Sequence, residues 1–470
     1  MRPFQSTTDP QLQPFLQQVS GWPLALRHLH QRIAACFARS EPRHHALLYL
    51  QAIGSLIPRK NSWQIAEHAK QARPYGMQRL LSRAIWDEEG VRDEVRTFIL
   101  HCLSPPSLLQ SGEQSPDVPH APFPVLVMDE SGFPKRGSHS AGVQKQYCGA
   151  TGQVDNCQVG VFLSYVTAAG HALIDRALYL PEDWCTDAAR RQAVHIPETV
   201  TFQTKPELAQ RMVERAQSAS LPISWVVADT VYGHCPDLRV FLEAQGFSYA
   251  LAVPANEVVC IQTAQGAYQL AEVASIEQQE FKPQDWQRLS MSQGTKGERY
   301  FDWAIRPLVL HGTVDHCHWL VIRRCLDDPS QKAYYLIFAP LGTSLHTIVL
   351  AIGARWSIEV DLENAKDLGL DQYEVRSYLG WYRHMTLVML ASAFLLSLSV
   401  QDSRHHCPPV EPVPSPPLVP LSSSEVRHLL ARLIWPAPSC APLICQWSSF
   451  RRAHQYWAGY YHRRRRQKAG

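Results

Sequence analysis

Pro124-Val125-Leu126-Val127-Met128-Asp129 is an apolar run closed by a carboxylate, and Trp225-Val226-Val227-Ala228-Asp229 repeats the pattern further along the chain. Apolar runs this short, bounded by polar segments, read as buried strands. A carboxylate at the end of such a strand is costly to desolvate unless it is paired or bound to a cation. A third acid, Glu359, stands in Arg355-Trp356-Ser357-Ile358-Glu359. Two divalent ions held about 3.5–4 Å apart by such carboxylates can activate a nucleophile and stabilise the leaving oxygen of a phosphodiester.

Around the two runs the pattern extends in both directions. Strands near 158–166 and 171–180, joined at Ala168-Ala169-Gly170-His171, form a predicted hairpin. A helix at about 205–218, a strand at 223–228 closing on Asp229, a helix near 236–245 and a strand at 248–253 follow. Three strands, helix, strand, helix, strand is the ribonuclease-H-like layout, an α/β core with a mixed five-stranded sheet flanked by helices. It puts Asp129 and Asp229 at neighbouring strand ends. Residues 255–341 read as a β-rich insertion; a helix then starts near Ser344, breaks near Gly353 and runs through Glu359 to Lys366.

The whole chain divides on this reading into a helical segment 1–104 and a linker 105–123. The core spans 124–254 and 342–400, interrupted by the insertion 255–341, and a Pro-rich linker 401–422 leads to a basic helical tail 423–470. In the first segment Asn61 or Ser62 caps a helix beginning at Trp63, and Pro74-Tyr75-Gly76 breaks the pattern before Met77-Gln78-Arg79-Leu80-Leu81. Helix, turn, helix with Arg79 and Arg83 exposed fits DNA recognition. A plain helical bundle fits it equally.

The 45% hydrophobic and 19% charged fractions describe an ordinary globular protein. Net charge is +3, but residues 446–470 hold six Arg, one Lys and no acid, which leaves 38 bases (45 less 7) against 42 acids elsewhere. The positive charge is thus gathered at one end, where it can meet a polyanion. Arg451, Arg452 and the run Arg463 to Arg466 alternate with aromatics suited to phosphates and bases. Twelve cysteines include no CxxC pair, and no basic-then-apolar leader opens the chain, so a cytoplasmic, reducing setting is expected. The apolar stretch Met385 to Val400 is short for a membrane span and reads as a buried core helix.

On the third acid's helix, Arg355, Glu359, Glu363 and Lys366 recur at spacings that put them on one face. A solvated salt-bridge ladder has the same spacing. Trp356, Ile358 and Leu362 on the same helix imply that it also packs on a core.

Arg355-Trp356-Ser357-Ile358-Glu359 followed by Lys366 resembles the signature of DDE transposases of bacterial insertion sequences, in the IS-four-like superfamily. Leu370-Asp371-Gln372-Tyr373-Glu374-Val375-Arg376, Trp381-Tyr382-Arg383-His384, Met128 to Lys135, Gly142 to Tyr147 and Ala228 to Gly233 resemble its IS-seven-zero-one branch. The resemblance implies that Asp129, Asp229 and Glu359 form a catalytic, metal-binding triad for two Mg²⁺ ions, with Mn²⁺ as a substitute. It implies a prokaryotic enzyme that cuts transposon terminal inverted repeats and joins the freed 3′-hydroxyl to target DNA, working as a homodimer in the synapse and away from membranes. Lys135, Arg136, Arg355, Lys366, Arg376, Arg383 and His384 become candidate DNA contacts, and Trp286, Trp303 and Trp319 candidates for stacking on a flipped base. Asp361 and Glu363 are rivals to Glu359. Ile352 stands where the wider superfamily has a Tyr, which leaves open whether end processing uses a hairpin intermediate. The alternatives are a transposase-derived DNA-binding protein or repressor without catalysis, and a related nuclease acting on branched DNA.

Overall fold

The structure, a computed structural model, describes residues 12–104, 123–262, 266–294, 297–308, 315–405, 419–435 and 441–469. The Pro-rich segments read at 105–123 and 401–422 fall largely outside these residues. Of the run Arg463 to Arg466 only the Arg464 side chain is described.

The helices are α1 Leu12–Arg32, α2 Ser40–Ile53, α3 Ser62–His68, α4 Tyr75–Ser82, α5 Glu88–Leu103, α6 Glu182–Thr186, α7 Ala188–Ala193, α8 Lys205–Ser218, α9 Thr230–Gly233, α10 Pro236–Ala244, α11 Val273–Glu280, α12 Leu345–Gly353, α13 Trp356–Asp367, α14 Tyr378–His405, α15 Ser423–Leu429 and α16 Ala441–Ala469. The strands are β1 Val125–Pro134, β2 Gln144–Cys148, β3 Gln153–Thr167, β4 Gly170–Tyr179, β5 Trp225–Ala228, β6 Ser248–Val253, β7 Val258–Gln262, β8 Tyr268–Glu272, β9 Gln287–Gly294, β10 Gly297–Leu308, β11 His316–Arg324 and β12 Lys332–Pro340. Two compact units result: Met1–Glu94 with Ala365–Val375 and Leu379–Gly470, and Val95–Asn364 with Arg376–Tyr378.

The second unit is built on one mixed ten-stranded sheet, ordered β2-β3-β1-β5-β6-β12-β11-β10-β9 with β4 also on β3. Its subset β4-β3-β1-β5-β6, with β1, β5 and β6 parallel and β3 antiparallel, is consistent with the ribonuclease-H-like core read from the sequence. The five-stranded expectation is nevertheless too small. Strands β9 to β12, read as an insertion, continue the same sheet because β12 pairs antiparallel with β6. Strand β1 also runs on past Asp129 to Pro134, since β3 continues to pair with it after β5 has ended.

Capping chemistry sets several helix starts. Thr204 and Glu207 form a capping box at the start of α8, which packs on β3 and β4. Ser344 caps α12, and the helix break expected near Gly353 falls at residues 354–355. A Cβ at Gly353 would lie 2.2 Å from the Met291 carbonyl oxygen, so only glycine lets α12 sit this close to β9.

The first unit is helical. Asn61 caps α3 as read, its side chain accepting from Gln64 N at 3.0 Å. Helix α14 has 28 residues, longer than the apolar run 385–400 indicates. By length and composition Tyr378–Arg404 could cross a membrane, but 78% of its apolar window is buried within the protein. Trp447 of α16 is fully buried, donating to Gln71 O at 3.0 Å, and Trp63 packs against Trp447, Phe450 and His454. Beyond them Tyr456, Trp457, Tyr460 and Tyr461 are exposed.

Candidate active site

Parallel pairing of β1 with β5 ends at Met128 and Ala228. Asp129 and Asp229 are the next residues on each chain, at the carboxyl ends of adjacent parallel strands, where open α/β sheets bind ligands. Asp129 stays in β1, held opposite Phe162 of β3, and its Oδ1 accepts from Glu130 N at 2.7 Å. Asp229 instead caps α9, its Oδ1 accepting from Val231 N at 3.0 Å. This short helix lies hard against β6: a Cβ at Gly233 would come within 1.9 Å of the Ala252 carbonyl oxygen. Gly233 therefore fixes where α9, and with it Asp229, can sit.

Charges at this sheet end repel. Burial, and next the Asp229 carboxylate, push Asp129 up to about 7. Burial and the Glu130 charge raise Asp229 as well. Glu359 enters from the first turn of α13 and is ion-paired to Arg355. The same guanidinium stands 3.7 Å from Asp129 Oδ2, so Arg355 bridges two of the three acids. Burial would lower Arg355, but Glu359 and Asp129 outweigh it and hold it above its usual value.

Crowded, partly desolvated carboxylates are hard oxygen donors that a divalent cation would relieve, and the raised pKa values of Asp129 and Asp229 fit such an ion. As placed, no group of three or more metal-binding side chains converges among the described residues. Arg355 occupies the gap between Asp129 and Glu359.

Three residues that the sequence reading did not single out complete the surroundings. Glu130 takes Lys205 Nζ on Oε1 at 2.7 Å and the Tyr232 hydroxyl on Oε2 at 3.0 Å. Lys205 opens α8 directly after its Thr204 cap, and Tyr232 belongs to α9. Their elements could be read from the sequence; their meeting at Glu130 could not, because it depends on how both helices pack.

The other sequence-read residues scatter. Arg136 is exposed and Lys135 half-buried in the loop after β1, where Lys135 N donates to Asn156 O at 2.8 Å. Arg376 is exposed, its carbonyl accepting from Ala141 N at 2.9 Å. Lys366 is half-buried in the last turn of α13, and Arg79 and Arg83 are exposed on and just after α4. Arg452 is exposed, whereas Arg451 is paired with Glu67 at 2.6 Å.

Four readings are corrected. Arg383 and His384 are not surface groups. Arg383 is 4% exposed, with its guanidinium over Trp86 and its Nε 3.7 Å from Glu88. His384 is fully buried between the Tyr49 hydroxyl at 2.8 Å and Gly369 O at 2.9 Å. Trp303 is buried too, with Nε1 donating to Leu289 O, which removes it as a base-stacking candidate. Trp356, expected in the core, is 46% exposed under the Arg299 guanidinium. Asp361 is withdrawn as a rival acid, being buried against Ser164 and His171.

Comparison with known proteins follows the same lines. A probable transposase for insertion sequence element IS701 from Microchaete diplosiphon is 26% identical over 204 residues. That match takes in 43% of this chain and 47% of the relative, so the chain spans about half the length of the curated relative it matches. The model of the family described as DDE superfamily endonuclease matches residues 32–303. That range holds Asp129 and Asp229 and stops short of Glu359. It covers more than half of the sequence, and the chain belongs to the DDE superfamily endonucleases.

Proposed function

We propose that this protein is a transposase that cuts DNA at the ends of an insertion sequence and joins those ends to target DNA by metal-dependent phosphoryl transfer. The observation that carries the reading is the pair Asp129 and Asp229 at adjacent parallel strand ends, each raised by burial and then by a neighbouring acid, with Glu359 brought to Asp129 through Arg355. Asp129, Asp229 and Glu359 would hold two divalent ions, Mg²⁺ by their oxygen chemistry. When bound, these ions supply an activated oxygen nucleophile and charge stabilisation for an in-line displacement.

The chain's own groups act around that chemistry. Arg355, freed from Glu359, is placed to take a phosphate oxygen beside Asp129, and the guanidinium fork suits that contact. Lys205 and Tyr232 keep Glu130 neutralised, which limits repulsion of an incoming phosphate. Arg136, Lys135, Lys366 and Arg376 bind the DNA backbone. The α3–α4 pair with Arg79 and Arg83 recognises the transposon end, and Arg452 with the remainder of α16 adds sequence-independent attraction. Two ends have to be joined, so two copies of the chain work in one complex.

The test replaces Asp129, Asp229 and Glu359 singly by Ala and follows Mg²⁺-dependent cleavage of a duplex carrying the element's terminal inverted repeat. Each variant is expected to retain the duplex and lose cleavage. Undiminished cleavage by all three defeats the proposal, and end binding without cleavage by the wild type favours a non-catalytic DNA-binding role.

A further inference from the structure

Helix α13 buries Ile358, Asp361, Leu362 and Ala365, the spacing of a core-facing stripe. Three of these four are apolar. The fourth is a carboxylate, 7% exposed, in the middle of the stripe. An acid there is costly unless it is fully partnered, and it is: His171 Nδ1 lies 2.8 Å from Asp361 Oδ1, and Ser164 Oγ donates to Oδ2. Both partners come from one hairpin. Ser164 is on β3; His171 is on β4 opposite Val166, two residues along β3 from Ser164, so both side chains face the same side of the sheet. The β3–β4 ladder slips by one residue at Leu163/Ser164, immediately beside this pair. Such irregularities re-aim side chains and recur near active sites.

Apolar contacts hold a helix on a sheet without fixing its rotation closely, because they carry no direction. A carboxylate caught between two hydrogen-bonding groups does carry direction. Glu359 lies two residues before Asp361, about 200° around the helix, and a one-residue slip of α13 would swing it by about 100° and shift it about 1.5 Å. Misplacing a reacting group by about 1 Å costs roughly 10²-fold in rate.

We infer that Asp361, His171 and Ser164 form a positioning clamp that sets the rotation and height of α13, and so presents Glu359 to Asp129. The inference rests on the proposed metal-dependent site. None of the three residues touches the reacting atoms; they act through Glu359.

Replacing a buried ion pair with apolar groups of similar volume commonly leaves stability intact, and this separates positioning from folding. In the triple variant D361L/H171L/S164A of the full chain, thermal unfolding should stay at or above wild type. Mn²⁺ affinity, read by electron paramagnetic resonance without DNA, should fall about tenfold, and cleavage turnover about 10²-fold, with KM for the end duplex within twofold. A well-folded triple variant with wild-type Mn²⁺ affinity and turnover overturns the clamp. Should the triple variant not fold, H171A alone is compared with wild type: reduced Mn²⁺ affinity at unchanged KM supports the clamp, and unchanged affinity overturns it. A wild type that binds Mn²⁺ but cuts no DNA counts against the transposase reading, while the Mn²⁺ arm still decides the clamp.

Discussion

Two polar clusters, one buried and one half-buried, differ in how their charges are matched. At the start of α14, Arg383 faces Glu88 and Trp86, and His384 sits between a hydroxyl and a carbonyl, so each group meets a partner of opposite or complementary character. At the end of β1 and β5, burial and then the Asp229 charge raise Asp129, and burial and then the Glu130 charge raise Asp229. In the first cluster the buried cation meets an acid. The second is held together by the fold against its own repulsion, and it is the one that gains from a cation. Burial of charge is common to both; what separates packing from chemistry is whether the neighbours agree.

Breaking this contrast gives a graded set of outcomes. The largest effect is expected from Glu359→Gln, which keeps shape and removes charge: metal-dependent cleavage in a gel assay should drop by roughly 10³-fold or more, with end binding retained. Arg383→Ala should do the reverse. It uncouples a mostly buried pair and should lower stability in urea by on the order of 3 kcal/mol, leaving cleavage per folded molecule unchanged. Gly233→Ala tests how the repulsive cluster is held. The Ala252 carbonyl has to move, so a loss of about 1–3 kcal/mol and a weakened Mn²⁺ site should appear together.

Protonation sharpens the comparison further. An acid whose folded pKa is raised to about 7 from 3.8 opposes folding once ionised, and this penalty disappears as pH falls. In chelator, Asp129→Asn should therefore melt above wild type at pH 8. The gap should narrow as pH drops below 7 and close near 4, and calorimetry across that range checks it. Arg452→Ala should give the smallest effect, reducing by about 0.9 the slope of log affinity for duplex DNA against log salt.

Local chemistry carried much of the fold into the sequence. The helix at 205–218, the Asn61 cap, the turn before Gly170 and the strand 248–253 are each set by a few adjacent residues. Pairing of β12 with β6 joins segments more than 80 residues apart, and nothing in either strand alone specifies it. At the site, the strand-end acids were legible because carboxylates rarely close apolar runs. The burial of Arg383 and His384 was not read, although a signal existed. Helix α14 is largely apolar and buried from Met385 to Val400, which marks an enclosed helix, and residues just before that stretch share the enclosure.

The pairing of β12 with β6 has a consequence for translation. A product terminated between β6 and β12 would contain Asp129 and Asp229 yet leave the hydrogen-bonding edge of β6 open, an invitation to aggregate. In this architecture the strand that covers β6 and the helix that carries Glu359 follow one another along the chain, so a truncation that bares the β6 edge also removes the candidate third acid.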